Sequence, residues 1–242
     1  MRSTGKSNLW RTLMLPASDK DVAEYERDPP RKTGALHRAF DALCAGLGLL
    51  LLFPLLCLIA AAIKLDDGGP VFYRQPRVGK GFCRFRICKF RSMTRGSDRG
   101  SLLTAPADSR LTRVGRWLRR YKLDELPQLF NVLWGDMQLV GARPEVERYV
   151  ETLRPQFALI LQDRPGITDP ASLVYRREDQ LLSTNHMEQQ YVQTILPAKL
   201  HLSLAYQRRR TFGSDVRILF RTIAALIDFS RIHSRSNLTS AE

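Results

Sequence analysis

The alternation of apolar and polar positions divides the chain into unlike stretches. From Ala42 to Ile63 it reads ALCAGLGLLLLFPLLCLIAAAI, 22 residues without a charge. As a helix this run measures about 33 Å, enough for the hydrocarbon core of a bilayer. Forty-one residues precede it and no small-residue cleavage site follows promptly, so it reads as a retained anchor. Pro54 lies just past its middle. It lacks an N–H and its ring crowds the carbonyl of Leu50, so the helix is expected to bend or break there. Beyond Gly68-Gly69-Pro70, Val71–Arg74 and Phe82–Phe90 are rich in β-favouring residues, with Val78-Gly79-Lys80-Gly81 between them. This predicts a β-hairpin whose second strand puts Arg84 and Arg86 on one face and Phe85 and Ile87 on the other.

Residues 92–109 read as loop. From Arg110, Leu111, Val114, Trp117, Leu118 and Tyr121 form one stripe ringed by Arg110, Arg113, Arg116, Arg119, Arg120 and Lys122. Such a helix suits a headgroup layer, or equally the surface of a core, and Gly115 weakens it. Leu123-Asp124-Glu125-Leu126-Pro127 opens a second helix that runs to Trp134 and stops at Gly135. A helix near Glu145–Leu161, a tight turn over Arg164–Thr168, and two apolar-periodic segments at 186–208 and 215–229 complete the pattern. The fold class is mainly α with a small β-hairpin.

Charge narrows the partner. Thirty-eight Lys+Arg stand against 24 Asp+Glu, a net of +14. Residues 71–122 hold 15 of the basic residues and only Asp98 and Asp108 as acids, a net of +13. Lipid headgroups, nucleic acid or phosphorylated small molecules would match that stretch; a solvated basic face is the plainer alternative. Both flanks of the apolar run are basic, and each pulls toward the cytoplasm. A re-entrant helix that enters and leaves by one leaflet satisfies both, with a kinked span as the alternative. The four cysteines and four histidines lack the spacing of a disulfide scaffold or a zinc site.

Asp124-Glu125 is the acid pair beside the basic stretch. Helix N-termini attract carboxylates, so a bare dipeptide would read as a cap. Adjacent helical residues point about 100° apart, which gives the two carboxylates different jobs. They could share a hard cation, one directly and one through its waters. With Arg119, Arg143 and Arg164, the inventory matches phosphoryl transfer: a metal and guanidinium groups hold a diphosphate while a carboxylate attacks it.

KFRSM (89–93), DSRLTRVG (108–115), LDELPQLFNVLWGDM (123–137), GARP (141–144) and RPGIT (164–168), in that order, resemble the bacterial sugar transferases. These are the small monotopic phosphoglycosyl transferases that load sugar 1-phosphate onto polyprenyl phosphate. The resemblance covers about residues 36–229. It implies that Asp124 is a nucleophile for the β-phosphate of a UDP-sugar, expelling UMP and leaving a phosphosugar on the aspartate. Polyprenyl (undecaprenyl) phosphate then accepts it, as the first membrane step of a surface polysaccharide or glycoconjugate pathway such as exopolysaccharide synthesis. Glu125 is implied as partner acid, with Asp124 and Glu125 at Mg²⁺. Arg119, Arg143, Pro144 and Arg164 are implied as substrate-binding residues, and Pro54 as the break of a re-entrant helix.

The implied organisation is a flexible leader over 1–34, the re-entrant helix over 35–66, a catalytic domain over 67–230 and a tail over 231–242. It sits on the cytoplasmic face of a bacterial inner membrane among anionic lipids, with no nucleic acid; self-association as a homo-oligomer stays open. Ala142 replaces a common proline, and Asp169 follows RPGIT where many relatives have glycine. A single apolar run stands where long relatives carry a further four-helix membrane domain. Two rival readings remain. A membrane-tethered nucleic-acid-binding protein accounts for the +13 but lacks a recognisable reading motif; a non-catalytic scaffold does not account for an intact Asp124-Glu125.

Overall fold

The computed structural model describes residues 33–97, 108–176 and 186–238, together with 103, 178 and 181, with side chains as far as 227. The expected leader lies outside the described residues except for Thr33 and Gly34, and so does the tail beyond Leu238.

Helix α1 (Ala35–Asp67) contains the whole uncharged run and ends at Gly68 in the left-handed conformation. Of the bend or break expected at Pro54, the break is not found, because the backbone stays helical through it. One proline removes one hydrogen bond, and the turns on either side keep theirs. Both ends of α1 are fastened to the same body. At the N-terminal end, Arg38 donates to the carbonyls of Val132 and Leu133, the second at 2.7 Å. Near the other end Asp66 accepts from the backbone N–H of Val114 at 3.0 Å, and Asp67 pairs with Arg91. The opposite side of α1, including Leu43, Leu50, Leu51, Phe53 and Leu58, is exposed.

Strands β1 (Phe72–Val78) and β2 (Arg84–Phe90) form the expected hairpin, antiparallel from Phe72 opposite Phe90 to Val78 opposite Arg84. Helix α2 (Arg113–Arg120) is capped by Thr112, whose hydroxyl accepts from Gly115 N–H. Its stripe divides. Leu118 and Val114 pack with Ile59 and Ile63 of α1, while Trp117 stays 49% exposed. Gly115 is required by a close approach, since a Cβ there would lie 1.9 Å from the Ser92 carbonyl oxygen.

The expected second helix is divided: Leu123–Glu125 is a 3₁₀ turn, and α3 (Gln128–Trp134) begins only after Pro127. Strand β3 (Gln138–Val140) follows. The long helix expected over 145–161 is instead α4 (Glu147–Thr152) and α5 (Arg154–Ile160). Pro155 explains this: it cannot continue a helix from before but suits a first turn. RPGIT is not only a turn, because Gly166–Thr168 is a strand, β4, paired parallel with β3. Gly166 makes the approach possible; a Cβ there would lie 2.1 Å from the Gly141 nitrogen. Helix α6 (Pro170–Val174), α7 (Met187–Gln190) with a π turn over Tyr191–Ile195, α8 (Leu196–Arg208) and α9 (Phe212–Leu238) complete the fold. Helix α9 runs on through residue 231, where the tail was expected to start.

Candidate active site

Four segments bring charge to one place: the end of β2, the end of α2, the 3₁₀ turn and the chain after β3. Lys122 turns the chain from α2 into the 3₁₀ turn with a φ of 57°, a left-handed conformation uncommon for a residue with a side chain. Leu123 and Leu126, which flank the acids, pack in one apolar cluster with Leu55 and Leu56, the neighbours of Pro54. The acid pair therefore stands on the middle of α1.

The two carboxylates differ as their divergent directions require. Glu125 is held by Arg143 through both oxygens, one at 2.9 Å, and by Lys89 Nζ at 3.2 Å. Burial pushes its pKa up, but Arg143 and Lys89 outweigh burial and hold it well below the usual carboxylate range. Asp124 is 6% exposed, and its Oδ1 is buried with no hydrogen-bond partner among the described residues. Burial first, and then the charge of Glu125, raise its pKa, against the pull of Lys89, Arg119 and Lys122. One carboxylate is thus a fixed anion and the other a destabilised one. A destabilised carboxylate is the more basic and the better nucleophile.

A cavity of about 220 Å³ adjoins Glu125, while its neighbour Asp124 is not among the lining residues. Its lining joins charged side chains, Lys122, Glu125, Arg143 and Lys199, to apolar ones, Leu129, Ile167, Leu173 and Leu226. Lys199 donates to Glu178 at 2.9 Å and to Tyr191 at 3.3 Å, and Tyr191 donates to Glu145 at 2.6 Å. Arg77 closes this network on Glu145 and on the carbonyl of Pro144, both at 3.1 Å. Pro144 thereby acts through its backbone, anchoring the segment that carries Arg143.

Asp124, Glu125 and Arg143 are thus brought together as expected. Arg119 donates to Ser92 Oγ at 2.9 Å while its charge acts on Asp124. Arg164 does not line the cavity; its carbonyl accepts from Gln138 Nε2 at 2.6 Å at the head of β4. Pro54 lies in α1, where its neighbours support the 3₁₀ turn from below. Sequence reasoning gave no role to Lys89 or Lys199. A signal existed for both. Lys89 continues the inward face of β2 begun by Phe85 and Ile87, and Lys199 lies on the buried face of α8 with Leu196, Leu200 and Ser203.

Among the described residues no group of three or more acidic, histidine or cysteine side chains could hold a metal. The one orphaned carboxylate oxygen, on Asp124, still suits a hard cation that keeps its waters and takes its other ligands from a phosphate. Glu125 does not suit it equally, because both its oxygens are already held by Arg143 and Lys89.

Residues 32–229 match the bacterial sugar transferase family. The chain belongs to that family. It is 41% identical over 210 residues to the undecaprenyl-phosphate glucose phosphotransferase of Komagataeibacter xylinus, covering 80% of this chain and 36% of that relative. A UDP-glucose:undecaprenyl-phosphate glucose-1-phosphate transferase of Caulobacter vibrioides is 37% identical over 78% of this chain and 69% of its own length. The exopolysaccharide production protein ExoY of Rhizobium meliloti is 35% identical over 81% of this chain and 91% of its own. The chain therefore spans about a third of the first relative and nearly the whole of the third. Asp124, Glu125 and Arg143 all lie within the matched residues.

Proposed function

We propose that the chain transfers a sugar 1-phosphate from a UDP-sugar to polyprenyl phosphate in two displacements on Asp124. In the first, a carboxylate oxygen of Asp124 attacks the β-phosphorus. The bond from that phosphorus to the bridging oxygen breaks, and the oxygen leaves with UMP. In the second, a phosphate oxygen of the acceptor attacks the same phosphorus and the bond to Asp124 breaks. The carboxylate is returned and a polyprenyl-diphosphate-linked sugar departs. Splitting the transfer lets a water-soluble donor leave before a lipid acceptor enters.

The observation that carries this reading is the buried Oδ1 of Asp124, without a partner among the described residues, beside Glu125 and amid Lys89, Arg119 and Lys122. An uncompensated buried carboxylate costs several kcal/mol, roughly, and functional sites are where such a cost is kept. Glu125 keeps Asp124 basic, the surrounding cations keep it ionised enough to react, and Lys122 and Arg143 offer their charge to the diphosphate. Mg²⁺, when bound, would neutralise phosphate charge, with Asp124 as its protein ligand.

The same reading makes the protein a monotopic member of the cytoplasmic face of the inner membrane, acting in the first membrane step of a surface-polysaccharide pathway. Its support is the fastening of both ends of α1 to one charged body, which a simple crossing would leave on opposite sides of the bilayer. The reading is tested by a UMP-release screen across UDP-sugars, beginning with UDP-glucose, with polyprenyl phosphate in detergent. Acceptor-dependent UMP release that is lost in Asp124→Asn is expected. Release from no UDP-sugar, or undiminished release in that variant, would overturn it.

A further inference from the structure

The cavity beside Glu125 is lined by both charged and apolar side chains, and the chemistry above uses only the charged ones. Leu129 of α3, Leu173 of α6, and Ala225 and Leu226 of α9 supply much of the apolar lining, the apolar wall of the cavity. Two observations connect this wall to the membrane side of the molecule. First, Leu129 lies against α1: a Cβ on Gly48, inside the uncharged run, would stand 3.4 Å from Leu129 Cδ1. Second, α9 extends the apolar surface outside the cavity, through Phe220 at 69% exposure and Ile223 at 55%. The inner face of α9 is fixed by Thr222, whose hydroxyl pairs with that of Thr168 at 2.8 Å. Arg217 and Arg221 are exposed on the same helix. Basic and apolar positions of this kind suit a helix at the boundary between headgroups and acyl chains.

A nucleoside diphosphate has use for the cations of the cavity but none for an apolar helix face that continues beyond it. A prenyl phosphate uses both. Its anionic head matches Lys122, Arg143 and Lys199, and its tail matches a wall that leads outward beside α1. Resting on the transfer proposed above, we infer that Leu129, Leu173, Ala225 and Leu226 form the track for the isoprenoid tail of the acceptor. Helix α9 then lies in the leaflet boundary alongside α1, and the acceptor enters between the two.

The full chain in detergent tests this through binding and through each half of the reaction. A prenyl phosphate with a photoreactive tail is expected to label α9 within residues 219–227, in competition with undecaprenyl phosphate. Labelling confined to α1 would overturn the track whether or not the protein turns over. Conversely, labelling of α9 in a protein that never releases UMP would sink the transfer reading and leave the track standing.

Ala225→Trp fills the track and Leu226→Ser strips part of it. Each should lower kcat/KM for undecaprenyl phosphate roughly tenfold, with adduct formation from the UDP-sugar and transfer to soluble geranyl phosphate within about twofold of native. Phe220→Ser, outside the cavity, should weaken vesicle binding and lower the preference for the long over the short acceptor by less than either cavity variant does. Native activity toward undecaprenyl phosphate in both track variants would overturn the proposal. Equal losses in adduct formation would assign the wall to the donor's nucleoside and overturn it as well.

Discussion

Under the N-terminal end of α1, Arg210 donates to both oxygens of Asp215, to Asp163 and to the carbonyl of Val140. Tyr206 completes Asp215, and Thr33 donates to both oxygens of Asp163. No oxygen of either aspartate is left over. Around Asp124, by contrast, Arg143 and Lys89 are both committed to Glu125, and Oδ1 of Asp124 receives no hydrogen bond from the described residues. Both clusters are buried and both mix acids with arginine. The closed one holds α1, β3 and α9 together; the one left unfinished has room in its bonding for a substrate. In a low-dielectric interior satisfied networks add rigidity, and an unsatisfied member is costly enough to need a purpose.

The sharpest way to break this contrast is to exchange the symptoms. Asp124→Asn should lower turnover by about a thousandfold or more while leaving thermal stability unchanged or higher, since it removes a penalised buried charge. Single-turnover UMP release and a melting curve check both halves. Asp215→Asn should do the reverse, costing roughly 3 kcal/mol of stability by leaving Arg210 only Asp163 and the Val140 carbonyl. Urea titration, with activity measured on the fraction still folded, reads that effect; a native melting point would show that the closed cluster is not structural. Arg143→Gln should lie between them, with a loss of about a hundredfold in kcat/KM and a modest loss of stability.

The smallest effect is one of pH. Adduct formation requires ionised Asp124, so its rate should fall as pH drops through the raised pKa of that group. Glu125→Gln removes one of the two causes of the rise, and the acid limb of the rate profile should move to lower pH. A limb that moves upward would contradict the assignment.

The hairpin, the stop of α3 at Gly135 and the acid pair were legible because each rests on local chemistry. Aromatic strand formers, a left-handed glycine and adjacent carboxylates declare themselves over a few residues. The pairing of β3 with β4 was not legible, because three residues give no periodicity and the partner is distant in sequence. Their glycines carried the hint, since Gly141 and Gly166 are needed where two backbones nearly touch. The division at Leu153 was within reach, as Pro155 forbids one continuous helix. At Pro54 the local rule allowed a bend or a break, and the break did not follow where both halves of α1 pack on the apolar clusters. Within the site, Arg143 followed from GARP, whereas Lys89 and Lys199 were hidden as cations on apolar faces. The sequence shows such a residue but not the carboxylate that waits for it.

The central claim is that Asp124 carries the phosphosugar between donor and acceptor. Intact-mass measurement of the full chain, incubated with its UDP-sugar and no acceptor, tests it most directly. The native protein should gain the mass of one phosphosugar, lose it when polyprenyl phosphate is added, and gain nothing as Asp124→Asn. Product formation by a protein that never acquires that mass would contradict the account.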